Sequence, residues 1–402
     1  MIDKVPDRLR PLRLKRREGR RIRAGHLWVF SNEIDTSSTP LRLFEPGDPV
    51  SIRSSDGRYV ASGYVNPHSL IAARVLSRDQ KHVPDRSLLV HRLKIALSLR
   101  ERLFEHPYYR LVFGEGDLLP GLVVDRHNDV LVAQLTTAGM ERMKDDVLAA
   151  LRKVLRPKAV LWKNDSGVRQ LEGLEHYVEP AYGDVPETVE IREGRARFEI
   201  PLAGGQKTGW YYDQRLNRER LKAYVQDADV LDVYSYVGAF GIQCKKFHAA
   251  SVTCVDSSAI ALEFAKKNAR KNRVRVEMLK GDANEVLADL RREKCKFDVV
   301  ILDPPAFVKK KRDLDAGREA YRRIIQGGMQ LLGREGFMLI CSCSAHLPES
   351  DLLQLVQHAA RHLGHHAQLL ETGGQAPDHP VHPAIPETRY LKSLLCRVTR
   401  QR

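Results

Sequence analysis

Apolar and polar positions alternate in short runs over the first 75 or so residues, in "LWVFSNEI", "DPVSIRS", "YVASGYVN" and "IAARVLS". Alternation with a period of two is the mark of a half-buried strand. The separators "EPGD", "SSDGR" and "NPHS" are turn chemistry, so the pattern predicts a small, mostly β barrel. From about residue 81 to 190 the pattern mixes. "RSLLVHRLKIALSLRERLF" and "ERMKDDVLAALRKVL" read as helices, "YYRLVFGEGD" and "AVLWKND" as strands, and "LVVDRHNDVLVAQL" as a hairpin, together an α+β unit. A second hairpin, "VEIREGRARFEIPL", leads into "AGGQKTGWYYDQR".

Beyond residue 216 hydrophobic strands and amphipathic helices alternate regularly. "DVLDVYSY", "SVTCVD", "VRVEMLKGD", "FDVVILDPP" and "GFMLICSCS" are each followed by a helical pattern, and "HAQLLETG" and "RYLKSLLCRVTR" close the chain as an edge pair. Repeated strand–helix units predict an α/β, doubly wound and mostly parallel sheet with an antiparallel edge. Ligands of such sheets sit beyond the carboxyl ends of the strands. There the sequence places Asp232 with "VYSYVGAFG", then Asp256, then Gly281-Asp282-Ala283, then Asp303-Pro304-Pro305, and last Cys341-Ser342-Cys343. One acid at a strand end is ordinary helix capping; four in consecutive order call for a ligand. Glycines such as Gly238 let backbone approach it closely, and an acid after the second strand suits ribose hydroxyls. The chain has no phosphate-cradling GxxxxGK[ST] run, and "GAFG" is only a fragment of the dinucleotide fingerprint, which argues against an ATPase and an NAD enzyme.

Length and charge narrow the picture further. At 402 residues the chain predicts two or three domains. No run approaches the roughly 20 apolar residues of a membrane span, and the N-terminal stretch lacks the apolar core of a secretory signal. The six cysteines show no CxxC pairing, so a reduced, cytoplasmic protein without a disulfide framework is expected. The net charge is +15, and residues 1–25 alone carry ten Lys/Arg against three Asp/Glu. This basic run is interleaved with Leu12, Leu14 and Ile22, so it reads as a face of a folded module rather than a tail. Such a face fits a polyanion, most often nucleic acid, with Arg16, Arg17, Arg20 and Arg21 as phosphate contacts. No membrane partner is expected, and a homodimer stays open.

"LDPPAF" resembles the fourth motif of class I S-adenosylmethionine methyltransferases that act on nucleobases. Together with "GGQKTGWYYDQR", "DVYSYVGAFG" and "CSCSAH", it resembles the RlmI-like family of large-subunit ribosomal RNA cytosine-5 methyltransferases over nearly the whole chain. The resemblance implies a PUA-like RNA-binding domain at 1–78, a central α+β domain at 79–190, and a Rossmann-like methyltransferase domain at 191–402. It implies S-adenosylmethionine as cofactor and large-subunit ribosomal RNA as partner. Gln206, Lys207, Thr208, Asp213 and Arg215 would lie near cofactor or substrate. Asp232, Tyr234, Ser235 and Gly238 would hold the methionine end, Asp256 the ribose, and Asp282 with Ala283 the adenine. Asp303 would hydrogen-bond the target base, with Pro304 and Pro305 fixing the backbone and Phe307 stacking. Many RNA cytosine-5 methyltransferases carry a second cysteine in this motif, where this chain has Ala306.

Cytosine carbon 5 is a poor nucleophile until a thiolate adds to carbon 6, a case of covalent catalysis. Cys343 matches the family's nucleophile and Cys341, two residues back, reads as core. The basic loop 309–312 is a candidate helper for the thiolate. Zinc lacks a second ligand pair with usable spacing, and Cys244, Cys254, Cys295 and Cys396 read as small buried hydrophobes. His346 and the histidines of "HPVHP" (379–383) read as surface and loop residues. Two alternatives stand beside the carbon-5 reading. One is base-nitrogen methylation of guanine or adenine with Cys343 structural, because DPP-aromatic motifs also serve exocyclic amines. The other is an inactive RNA-binding protein of the same fold.

Overall fold

In the basic N-terminal run the alternation resolves into a strand. Leu12 and Leu14 are buried, while Lys15, Arg16, Arg17 and Arg20 face solvent. The computed structural model describes residues 9–202, 204 and 208–400. By compactness these fall into two units, one of residues up to 189 with 201–210 and 377–388, the other of 190–200, 211–376 and the stretch from 389 on.

The first unit holds two five-stranded sheets. The N-terminal one comprises Arg10–Arg13, Trp28–Val29, Asp48–Arg53, Tyr59–Val65 and Ala73–Ser77 around a core that includes Leu12, Ile22, Val50, Ile52 and Val75. The other orders Tyr177–Tyr182, Ala159–Asn164, Val130–Leu135, Leu122–His127 and Tyr108–Phe113 side by side. Leu89 and Leu93 of helix Arg86–Leu103, and Val147 and Leu151 of helix Lys144–Leu155, share its core with Leu131 and Trp162. Strand Tyr177–Tyr182 escapes the sequence pattern because Pro180 and two glutamates, Glu175 and Glu179, mask an edge position.

The second unit is the regular α/β element. Its strands are β1 (Asp229–Val233), β2 (Ser251–Asp256), β3 (Glu277–Lys280), β4 (Phe297–Leu302), β5 (Leu332–Ser342), β6 (His365–Gly374) and β7 (Lys392–Arg400). Between them run helices α1 (Ala239–Lys246), α2 (Ala259–Lys271), α3 (Ala283–Arg292), α4 (Leu314–Gln330) and α5 (Glu349–His362). The sheet order is β3-β2-β1-β4-β5-β7-β6, with β1 to β5 parallel and β7 antiparallel to both neighbours. The order reverses between β1 and β4, which opens the ligand crevice at their carboxyl ends. The last two strands form the expected antiparallel pair at one edge of the sheet, with the final strand β7 set between β5 and the outermost β6. Burial explains this: Leu394, Leu395, Cys396 and Val398 are all buried, whereas β6 is mostly half-buried or exposed along its length. No helix is long and apolar enough to cross a membrane among the described residues.

Candidate active site

The turn after β1 is built under strain. Tyr234 and Tyr236 both adopt left-handed backbone at φ 66° and 50°, and Gly238 follows at 80°. A non-glycine residue held there costs about 1–3 kcal/mol, so the surroundings must fix it. The amides of Tyr234 and Ser235 donate to the carbonyl of Val255 at 2.9 and 3.0 Å, and Tyr236 N–H donates to Asp256 Oδ2 at 2.9 Å. The end of β2 thus clamps the turn after β1. Gly241 answers to close approach instead: a Cβ there would lie 2.7 Å from Cys254 Sγ. Its amide donates to Asp232 Oδ2 at 2.9 Å.

Asp232 is fully buried, and its Oδ1 has no hydrogen-bond partner among the described residues. Burial pushes its carboxyl up to about 7; the Gly241 amide opposes the shift, while the charges of Asp303 and Asp256 add to it. A buried acid with an open lone pair, ringed by two other acids, suits a cationic ligand group. Asp256 accepts from Tyr236 and from Ser258 N–H at 2.9 Å each, one bond per oxygen, which leaves further acceptor capacity on both. Asp282 caps α3 through Oδ1, taking the amides of Asn284 and Glu285 at 2.9 and 3.4 Å, and stands exposed beside buried Ala283. Burial raises the half-buried Tyr234 phenol, and the charges of Asp282 and Asp256 raise it further, which sets all three on one rim. The residues present therefore fit S-adenosylmethionine, with its cationic methionine end, ribose hydroxyls and adenine.

Asp303 follows β4 and accepts from Gln214 Nε2 at 2.9 Å. Gln214 is a site residue that the sequence reading passed over, although it lies inside "DQR". Its Oε1 accepts from Asn217 Nδ2 at 2.6 Å and faces Cys341 Sγ at 3.8 Å, so one buried amide joins the β4 tip to β5. Its neighbours in the motif make other contacts. Asp213 accepts from the Tyr390 hydroxyl, and Arg215 lies 3.8 Å from Glu193 with its guanidinium over the Tyr212 ring. Thr208 belongs to the first compact unit, where its hydroxyl bonds Asp125, itself paired with Arg110 at 2.8 Å. Gln206 and Lys207 lie outside the described residues. Pro304 is buried and Pro305 exposed, and Phe307 packs edge-on against Tyr321 with ring centroids 4.9 Å apart.

The two cysteines differ as their positions require. Cys341 lies in β5, opposite Ser393 of β7, fully buried, and burial followed by the Asp303 charge drives its thiol well above the ordinary range. Cys343 stands just past the last residue of β5 and is half-buried. Two further residues escaped the sequence reading. Tyr211 is raised by burial and then by Tyr236, Asp303, Asp213 and Cys343, so these groups converge on one phenol. Lys392, the first residue of β7, is 6% exposed and reaches toward the end of β5. A lysine inside the apolar run "YLKSLLC" was the available signal. The basic loop 309–312 is exposed throughout, and Lys392 is a cation whose charge interacts with that of Cys343.

In the N-terminal module Arg16, Arg17, Arg20 and Arg21 are exposed. Arg21 nonetheless makes a fork on Glu33 at 2.8 and 2.9 Å and stacks on Phe30 at 4.8 Å. Among the described residues no cluster of His, Cys, Asp and Glu is arranged to hold a metal.

Comparison with known proteins adds to this geometry. Residues 12–78 match a PUA-like domain, and residues 109–397 match an S-adenosylmethionine-dependent methyltransferase family. Ribosomal RNA large subunit methyltransferase I of Aliivibrio fischeri strain MJ11 is 37% identical, over 94% of this chain and 96% of its own length. The protein of the same name from Vibrio cholerae serotype O1 is 35% identical, over 94% of this chain and 96% of its own. Among solved structures, an S-adenosylmethionine-dependent methyltransferase from Streptococcus mutans superposes with a TM-score of 0.81 at 18% identity. That superposition covers 97% of this chain and all of the other.

Proposed function

The chain belongs to the S-adenosylmethionine-dependent methyltransferase family, and from that premise we propose that it methylates carbon 5 of a cytosine in large-subunit ribosomal RNA, with Cys343 as the attacking thiol. The observation that carries this reading is the contrast between the two cysteines at the end of β5. Cys341 is sealed in the sheet and tied to Gln214, whereas Cys343 stands half-buried beyond the strand, next to the Asp303 tip of β4. When bound, S-adenosylmethionine supplies an electrophilic methyl group. Asp256 would take the ribose hydroxyls, Asp282 and Ala283 the adenine, and the turn from Tyr234 to Gly238 with Asp232 the methionine end.

The work of this chain's own residues follows in order. Asp303, fixed by Gln214, accepts a hydrogen bond from the cytosine amino group and orients the ring. The Cys343 thiolate adds to carbon 6, and the ring's electron pair passes to carbon 5, which becomes nucleophilic. After methyl transfer the carbon-5 proton leaves to a base, the electron pair re-forms the ring double bond, and the thiolate is expelled. Asp213 and Arg215 hold the segment that carries Gln214, the first through Tyr390. To test the reading, large-subunit ribosomal RNA is incubated with enzyme and S-adenosylmethionine, then digested to nucleosides for mass analysis. The expected product is 5-methylcytidine; a methylated guanosine or adenosine would place the reaction on a base nitrogen and overturn the carbon-5 assignment.

RNA capture falls to the PUA-like module, whose exposed arginines contact phosphates and add affinity rather than base choice. Arg21 is already committed to Glu33, so Arg16, Arg17 and Arg20 carry the effect. Replacing these three by glutamine is expected to weaken RNA binding and to lower the slope of log affinity against log salt by roughly 2–3. An unchanged slope in a filter-binding titration would remove them from the interface.

A further inference from the structure

We propose that Lys392 is a positioning residue that holds Cys343 as a thiolate, its buried ammonium serving as the fixed counter-charge of the nucleophile. The inference rests on the reading of Cys343 as the attacking thiol and goes one step deeper into the same site.

Register and burial place the ammonium. Lys392 pairs with Ser342 across the antiparallel β5–β7 ladder, so its side chain starts level with the end of the strand that Cys343 leaves. Its Nζ donates to the carbonyl of Ser344, the residue after Cys343, at 2.6 Å, and to the carbonyl of Tyr390 at 2.9 Å. An ammonium has three donors, and the third has no partner among the described protein donors and acceptors. A lysine this buried normally needs an opposite charge, because burial disfavours the ionised form. Two anionic groups act on it, Cys343 first and Glu349 second. Glu349 is spoken for, since its Oε2 lies 3.3 Å from the Arg389 guanidinium, whose own charge opposes the lysine's. Cys343 is left as the partner. Burial lowers the lysine to about 8, and the charge of Cys343 works against that fall. The attraction is mutual, so a charged ammonium there favours a charged sulfur at Cys343.

The remaining groups around Cys343 sharpen the need. Tyr211, Tyr321 and Cys341 all have raised phenols or thiols and stay neutral in the working range. The charges of Asp303 and Cys343 both bear on Tyr211 and on Cys341, so the two groups lie in one neighbourhood, where a carboxylate and a thiolate repel. That repulsion works against the nucleophile, and Lys392 opposes it from the β7 side.

The test reads the thiolate directly, with the full chain and without RNA or cofactor. Wild type, Lys392→Met, Lys392→Gln and Lys392→Arg are alkylated with iodoacetamide between pH 5 and 10, and the label on Cys343 is quantified by peptide mass. Half-buried Cys295, far along the chain, serves as internal reference. The expected result is a Cys343 profile that moves up by about one pH unit or more in Lys392→Met, a roughly tenfold slower reaction at pH 7, with Cys295 unmoved and Lys392→Arg partly restored. Lys392→Gln carries the comparison if the methionine variant does not fold. Coincident profiles in the neutral variants and wild type overturn the proposal, as does a wild-type Cys343 profile no lower than that of Cys295. A Cys343→Ala enzyme that still methylates would sink the nucleophile reading, and the alkylation profile decides the role of Lys392 separately.

Discussion

Cys343→Ala is expected to retain less than about one thousandth of wild-type methylation, because removing a nucleophile eliminates the covalent route rather than weakening one contact. Affinity for S-adenosylmethionine by calorimetry is expected to stay at the wild-type value, since the acids of β1, β2 and α3 and the strained turn do not depend on the thiol. Cys341→Ala makes the informative contrast. That thiol is fully buried and sits 3.8 Å from Gln214 Oε1, so its loss should cost stability, about 1 kcal/mol, and leave activity within a few-fold. The reverse pattern, with Cys341 indispensable and Cys343 replaceable, would mean that the wrong side of the strand end had been assigned.

The second large effect is expected at Asp303. Its carboxylate accepts a hydrogen bond of 2.9 Å from the buried amide of Gln214, which helps to orient it before any base arrives. Losing one pre-organised hydrogen-bonding group at an active site costs about 10²–10³ in rate, the scale measured for oxyanion-hole donors. Asp303→Ala is therefore expected to lower kcat/KM on RNA by a factor in that range, with the loss mainly in kcat and with cofactor affinity little changed. Asp303→Asn keeps the shape but replaces one acceptor oxygen by an NH2 donor facing the cytosine amino group, so it should be nearly as damaging. Asparagine retaining activity within fivefold would show that charge and acceptor character at the β4 tip are not used.

Much of the α/β half of this chain was legible from its hydrophobic pattern, for a physical reason. Parallel strands buried on both faces write themselves as apolar runs, and the acids at their tips, Asp232, Asp256, Asp282 and Asp303, can be read off because each ends such a run. What could not be read was whatever depends on contacts between distant segments. The left-handed Tyr234 and Tyr236 carry no glycine to announce them; the Val255 carbonyl and Asp256 carboxylate impose them from the next strand. Gln214 gives no signal of its own inside "DQR", because its role depends on its amide lying between Asp303 and Cys341, 89 and 127 residues away in sequence. The order within the terminal edge pair is set by burial, which gives β7 the inner place and leaves β6 outermost. Lys392 stands out only once that order is known, since a lysine on an edge strand is ordinary protection and a lysine on an inner strand is not.

The central claim, that Cys343 attacks carbon 6 of a cytosine in RNA, is tested most directly by trapping. Ribosomal RNA transcribed with 5-fluorocytidine is incubated with enzyme and S-adenosylmethionine, and the products are resolved on a denaturing gel. Fluorine cannot leave carbon 5 as a proton does, so the thiol stays attached after methyl transfer. The account predicts a stable protein–RNA band with wild type and with Cys341→Ala, absent from Cys343→Ala, and a crosslinked peptide that contains Cys343. A band that persists in Cys343→Ala, or fluorinated RNA that is methylated and released by wild type, would contradict it.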